Sequence, residues 1–338
     1  MSIPFKQRLA NYGRQFEIFK QKLAIEKFRK KNEGSGRFNE HLRHLIISGE
    51  PRGGTTWLAE VLSEKNRLII WEPLHYKIVA QYKLKNFGEE IGHMPYIPQG
   101  TVWPEATDYF NALFNGSELN YSSIFANPAA NFNPEIVDSL MFKFCRANLL
   151  LPWLVDNFNI LPIYLVRHPL SVISSQYRHS AFSGMDEKAS IFANRKSKYR
   201  QIFEKYRANI EGIKNREEMF ANWWALNNVV PLTHEYNNNK WITVSYESLV
   251  SRPQFEIERI SNRLGIRFSP DIFSRMLKPS ATTKSGSGIL TGENQLLNWE
   301  RNFTTAQIDN ILKTINSYGI DAYSTNPQPN YKKLGYEE

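Results

Sequence analysis

Residues 44–58 run from a short apolar strand (His44 to Ser48) through a loop of small residues around Arg52 into a helix start at Thr55 and Thr56. A chain that turns this way points the free N–H groups of a helix, and the positive end of its dipole, at one spot. The segment therefore predicts a strand–loop–helix unit of an α/β fold with an anion-binding cradle at its turn.

Gly49 through Thr56 keep the spacing of a P-loop (Gly, four residues, Gly, Lys, then Ser or Thr), except that Thr55 stands where the Lys belongs. The P-loop Lys reaches the outer phosphates of a triphosphate, and the hydroxyl holds the bridging magnesium. A cradle without that Lys suits a nucleotide with a shorter phosphate chain. Arg52 can supply the charge from inside the loop, with a planar fork that engages two anionic oxygens at once.

A second segment repeats the pattern. Ile160 to Val166 is apolar, Arg167 stands at its carboxyl end, and a hydroxyl-rich helix start carries Ser171, Ser174 and Ser175. Apolar runs at 44–48, 67–71, 139–144, 160–166 and 241–246 predict strands, several apolar on both faces as buried parallel strands are. Helical patterns at 55–64, 146–157, 171–180, 217–235 and 254–264 alternate with them, and 304–317 reads as a closing helix. The alternation predicts an α/β fold with a doubly wound parallel sheet of about five strands flanked by helices, its ligands at the carboxyl ends of the strands.

Together the two loops resemble the sulfotransferases that use 3′-phosphoadenosine 5′-phosphosulfate, whose fold is P-loop-like. The resemblance implies that Arg52, Gly53, Gly54, Thr55, Thr56 and Trp57 seat the 5′-phosphosulfate, and that Arg167 with Ser175, eight residues later, holds the 3′-phosphate. Trp241 to Pro253 is similar to the strand and Tyr-Glu-x-Leu turn that closes the family's nucleotide site, which puts Tyr246 against the adenosine. Thr282 to Gly286, followed by Asn298 to Thr304, is similar to the terminal cofactor loop, with Lys284 and Ser285 at the 3′-phosphate. The resemblance covers residues 43–318 and implies adenosine 3′,5′-bisphosphate as product, with no metal.

Moving a sulfuryl group to a hydroxyl requires a base for the incoming proton and positive charge for the departing oxygen. Glu72 follows the apolar run Arg67 to Trp71 and precedes Pro73, at a strand end beside the first loop. Glu-Pro-Leu-His at 72–75 is similar to the segment that carries the catalytic carboxylate in sulfotransferases acting on carbohydrates and on protein tyrosine; His75 is the rival base. The small-molecule branch carries a catalytic His two residues after a Lys. Here Lys143 occupies the Lys position, 24 residues before Arg167, and Cys145 stands where the His would be. The departure favours Glu72 as base and an acceptor hydroxyl on a carbohydrate or glycolipid. Lys143 and Arg52 are the candidates for the departing oxygen. Two other readings compete: a P-loop-type small-molecule kinase, and a non-catalytic nucleotide-fold protein that binds glycan or lipid.

The chain divides into a basic helical arm at 1–33, a catalytic domain at 34–320 with insertions at 83–138 and 181–216 for acceptor binding and a lid, and an irregular tail at 321–338. Residues 1–31 hold nine Lys/Arg against Glu17 and Glu26, a net +7 out of +9 for the whole chain. Phe5, Leu9, Tyr12, Phe16, Phe19 and Leu23 form one apolar stripe at helical spacing. The arm reads as docked on its own domain, as a dimer contact, or as lying on a membrane surface through residues 5–31. No recognition motif accompanies the basic charge, so nucleic acid is not an expected partner. Asn32 to Arg37 reads as a hinge.

The sequence shows no secretory leader and no apolar run of membrane-spanning length, which predicts a cytoplasmic protein, peripheral at the inner membrane surface if the arm binds lipid. The lone Cys145 permits no intrachain disulfide and reads as a buried inert thiol, and the seven histidines show no metal-ligand spacing. Trp103, Tyr109, Phe110, Phe114 and Tyr121 in the first insertion suit either sugar stacking or packing of a long loop.

Overall fold

The computed structural model describes residues 5–75, 94–127, 132–183, 199–281, 283 and 295–336, with residues 5–14 as backbone alone. The strands are β1 (Leu45–Gly49), β2 (Arg67–Trp71), β3 (Ser139–Phe144), β4 (Ile163–Val166) and β5 (Ile242–Ser245). They form one parallel sheet in the order β2-β3-β1-β4-β5, which is the expected architecture. The fourth run starts at Ile163 rather than Ile160 because Pro162 has no N–H to give the ladder.

The helices are α1 (Phe5–Asn32), α2 (Thr55–Val61), α3 (Pro104–Phe114), α4 (Leu151–Asn157), α5 (Pro169–Tyr177), α6 (Arg216–Thr233), α7 (Tyr246–Ser251), α8 (Pro253–Leu264) and α9 (Thr305–Asn316), with shorter turns between them. Several starts have the expected chemistry. Asn215 caps α6 by accepting from Glu218 N–H, Thr304 and Gln307 form a capping box on α9, and prolines open α3, α5 and α8.

Strand alternation sorts the core onto two faces. Leu45, Ile47, Met141, Ile163 and Leu165 pack on one face with Leu58, Leu249 and Ile260. On the other, Ile46, Leu140 and Phe142 meet Phe110, Phe114 and Trp153, while Tyr164 and Val166 meet α6 and α9. Helix α6 is buried nearly all round from Met219 to Val229 because it lies between the sheet and α9. In the first insertion Trp103, Tyr109, Phe110 and Phe114 are buried in the core, so packing is what these four do. Tyr121 is half-buried and stacks on Phe125 at 4.9 Å.

The segment 321–336 has little regular structure, yet it packs. Ala322, Tyr323, Leu334 and Tyr336 are buried, and the Tyr336 hydroxyl accepts from Ser245 N–H at the end of β5. At the other end of the chain, Ile25 and Phe28 of α1 are buried against the domain. Gly34 and Gly36 take positive φ after it, but Arg37 donates to the Val137 carbonyl and Phe38 is buried, so 32–38 is a fastened turn rather than a free hinge. Among the described residues no helix is long and apolar enough to cross a membrane, and no group of three or more His, Cys, Asp or Glu side chains can hold a metal ion.

Candidate active site

The strand order reverses at β1: the chain lays β2 and β3 on one side of it and β4 and β5 on the other. Open α/β sheets leave a crevice at such a switch point, between the carboxyl ends of the diverging strands. Here the crevice is a cleft of 1320 Å³. Four strand ends deliver chemistry to it, the 49–56 loop after β1, Lys143 and Cys145 at the end of β3, Arg167 after β4 and Tyr246 after β5, while Glu72 after β2 stands behind Lys143.

The first loop is built for close backbone approach. A Cβ on Gly49 would stand 2.5 Å from the Leu165 carbonyl oxygen, and one on Gly54 (φ +100°) 2.8 Å from the Tyr246 ring. Arg52 at the loop tip has φ +75°, a left-handed conformation that a non-glycine residue adopts at a cost of about 1–3 kcal/mol. Its Nε donates to Ser175 Oγ at 3.1 Å, joining the two predicted anion loops into one pocket. Partial desolvation, and then the nearby Arg167 charge, lower the Arg52 pKa.

Arg167 lies flat on Tyr246, with its guanidinium carbon 4.2 Å from the ring centroid, and donates through Nη2 to the Gln295 carbonyl at 3.2 Å. Among the described residues its buried Nε has no hydrogen-bond partner. Tyr246 is nearly buried: its ring meets Trp57 edge-on at 5.5 Å, and its hydroxyl donates to Gln295 Oε1 at 2.8 Å. Among the described residues the cleft wall contains Arg52, Lys143, Arg167, Arg178, Lys278 and Arg301 and no Asp or Glu. A concave wall with six cations and no carboxylate is a site for a polyanion. Arg178, Lys278 and Arg301 were not singled out by the sequence, since no motif marks an Arg on a helix or loop as facing a cleft.

Glu72 has φ +48°, unusual for a non-glycine residue and more so before Pro73. Its N–H donates to the Lys143 carbonyl and its carbonyl accepts from His75 N–H, both at 2.8 Å, and this fixed backbone aims the side chain at the end of β3. There Oε1 accepts from Lys143 Nζ in a short ion pair and Oε2 accepts from Cys145 N–H at 2.9 Å. Burial alone would push the Glu72 carboxyl up, but the Lys143 charge and these hydrogen bonds outweigh it, so its pKa lies below the usual value and the group is an anion at neutral pH. Burial likewise opposes the Lys143 ammonium, and Cys145 and Glu72 reverse that and raise its pKa. Lys143 and Cys145 line the cleft while Glu72 and His75 do not; the Glu72 side chain is nevertheless 24% exposed.

Cys145 sits one residue beyond β3 rather than inside it. Its thiol contacts Lys143 Nζ at 3.1 Å and Thr55 Oγ1 at 3.5 Å, and burial together with Glu72 pushes its pKa up to about 12, so it stays protonated. Nothing in the sequence marks Glu50. Its buried carboxylate oxygen Oε1 accepts from Gln176 Nε2 at 3.0 Å and Trp223 Nε1 at 2.9 Å, which ties the first loop to α5 and α6. Burial pushes its pKa up to about 8, against the pull of the Gln176, Trp223 and Asn227 hydrogen bonds. Lys284 and Ser285 lie outside the described residues.

Comparison with known proteins supplies the class. The sulfotransferase domain family's model matches residues 42–286, and the chain belongs to that family: it is a sulfotransferase. No curated protein matches it. Among solved structures it is similar to the sulfotransferase domain of the Synechococcus PCC 7002 olefin synthase (16% identity, covering 83% of this chain and 94% of that one, TM-score 0.40). It is also similar to mouse sulfotransferase SULT7A1 complexed with PAP (13%, 81% and 83%, TM-score 0.39), and to a retinol dehydratase complexed with retinol and PAP (15%, 84% and 83%, TM-score 0.37).

Proposed function

We propose that this sulfotransferase moves a sulfuryl group from 3′-phosphoadenosine 5′-phosphosulfate to a hydroxyl of a carbohydrate or glycolipid, with Glu72 as general base. The observation that carries the donor is the wall of six cations, in which the described residues include no carboxylate and give the buried Arg167 Nε no hydrogen-bond partner. Those residues fit a nucleotide carrying phosphate at both ends of its ribose. When bound, the donor supplies the sulfuryl group on a phosphate leaving group.

In this reading Arg52, Thr55 and Thr56 hold the 5′ end, with Gly53 and Gly54 letting the backbone approach and Trp57 beside them. Arg167 and Ser175, joined by Lys284 and Ser285, hold the 3′-phosphate, and the Tyr246–Trp57 pair offers its aromatic surface to the base. Glu72, kept ionised by Lys143, accepts the hydroxyl proton. Protonation neutralises Glu72 and releases the Lys143 ammonium to face, with Arg52, the charge growing on the departing oxygen. Base and leaving-group cation thus work as one coupled pair. Cys145 in place of a histidine, with a thiol that does not ionise near neutrality, leaves the base role to the carboxylate.

Calorimetric titration with adenosine 3′,5′-bisphosphate and with AMP tests the donor assignment. The bisphosphate should bind at least tenfold tighter, and Arg167→Ala and Ser175→Ala should remove most of that difference while leaving AMP affinity nearly unchanged. Equal binding of the two nucleotides by the unaltered protein would overturn it.

A further inference from the structure

Helix α1 has two apolar faces, and the domain uses one of them. Ile25 and Phe28 are buried; Phe28 packs on Phe38 (6.0 Å) and Phe132 (5.5 Å), and Arg29 Nε donates to the Ser117 carbonyl at 2.6 Å. At 3.6 residues per turn, Phe16, Phe19 and Leu23 lie about 180° round the helix from that face. They are 57%, 57% and 40% exposed. The stripe the sequence shows is therefore not the docked one, which removes contact with its own domain as the explanation for these three residues.

Charge selects among the occupants that remain. Lys20, Lys27 and Lys30 fall by helical spacing on the same outward side, with Lys31 on its flank about 90° from either face, and Lys20 Nζ sits 4.5 Å from the Phe16 ring centroid. Glu17 pairs with Lys20 and Glu26 with Lys30, yet residues 1–31 keep a net +7. A second copy of the chain would bring two such segments together, whereas a surface of anionic lipid headgroups complements the lysines and takes up the aromatic and leucine side chains between them.

We propose that α1 lies with its outward face, Phe16, Phe19 and Leu23 among the lysines, in the headgroup region of an anionic lipid bilayer, holding the enzyme at a membrane surface. The test is co-sedimentation of the full chain with phosphatidylcholine vesicles, with and without phosphatidylglycerol, at low and at physiological salt. Binding should need the anionic lipid and weaken with salt. The triple variant F16S/F19S/L23S should lose it at least tenfold, and K27E/K31E should lose it as well; both variants should keep the melting temperature and adenosine 3′,5′-bisphosphate affinity of the parent. No vesicle binding, equal binding to neutral and anionic vesicles, or unchanged binding by the triple variant overturns the proposal. So does a dimer in solution that the triple variant dissolves when vesicles bind no protein.

Discussion

Replacing Glu72 by Gln tests the proposed base role of the carboxylate with little change in side-chain shape. The amide can still accept a hydrogen bond from Lys143 or from Cys145 N–H, but not from both, and it cannot take up a proton. Loss of a general base costs about 10²–10⁴ in turnover, equivalent to about 3–5 kcal/mol of barrier at 1.4 kcal/mol per tenfold. Donor binding should move the other way. Glu72 is outside the cleft wall, and removing its charge leaves Lys143 unneutralised toward the cleft, so affinity for adenosine 3′,5′-bisphosphate should hold or rise.

Stability adds a third signed outcome. Removing one partner of a buried pair costs about 3–5 kcal/mol, and the partial exposure of Glu72 together with the retained amide hydrogen bond place this variant at or below the low end. Because the folded Glu72 pKa is lowered, its contribution is present above the ordinary value of 4.5 and lost as pH falls through the folded pKa. The variant should therefore lose the acid branch of the stability curve. Steady-state kinetics, calorimetry and thermal melts across pH read the three quantities. Turnover within tenfold of the parent, or a loss explained by weaker donor binding, would refute the base assignment; retained turnover in Glu72→Gln with loss in His75→Ala would hand the role to His75.

Four further substitutions reach other parts of the site. Gly54→Ala puts a methyl group 2.8 Å from the Tyr246 ring at a φ of +100°, so adenosine 3′,5′-bisphosphate affinity by calorimetry should fall at least tenfold; parental affinity would show that the loop is not held as described. Glu50 is protonated in the folded protein up to about pH 8 and ionised in the unfolded chain above about 4.5, so burial of this group makes stability fall as pH rises between those values. The slope is up to about 1.4 kcal/mol per pH unit, and Glu50→Gln should flatten it in pH-dependent melts; an unchanged slope would show that the group ionises freely. Arg178→Ala and Arg301→Ala should each weaken bisphosphate binding several-fold with a reduced salt dependence, and unchanged affinity in both would confine the anion site to the two loops.

Much of this arrangement was legible in the sequence because parallel strands buried on both faces leave short apolar runs, and loops of small residues around an Arg mark their ends. Arg52, Arg167, Lys143, Glu72 and Tyr246 could each be placed at or just beyond a strand end and are found there, and Ser175, on the helix that follows β4, reaches Arg52. Legibility failed where a role depends on distant partners. Glu50 looks like an ordinary loop carboxylate until Gln176 and Trp223, 126 and 173 residues away, close over it. The stripe from Phe5 to Leu23 pointed at one face of α1, but the docked face begins where that stripe ends, at Ile25 and Phe28, and periodicity does not say which of two faces finds a partner. The aromatics of α3 were ambiguous for a similar reason: a ring that packs and a ring that stacks on sugar have the same spacing.

Whether the cation-lined cleft serves sulfuryl or phosphoryl transfer is decided by incubating the protein with sulfur-35-labelled 3′-phosphoadenosine 5′-phosphosulfate and carbohydrate and glycolipid acceptors in the presence of EDTA. A labelled sulfate ester should form without magnesium and be lost in Glu72→Gln. Transfer from ATP that requires magnesium, with no response to the phosphosulfate donor, would instead make the protein a kinase.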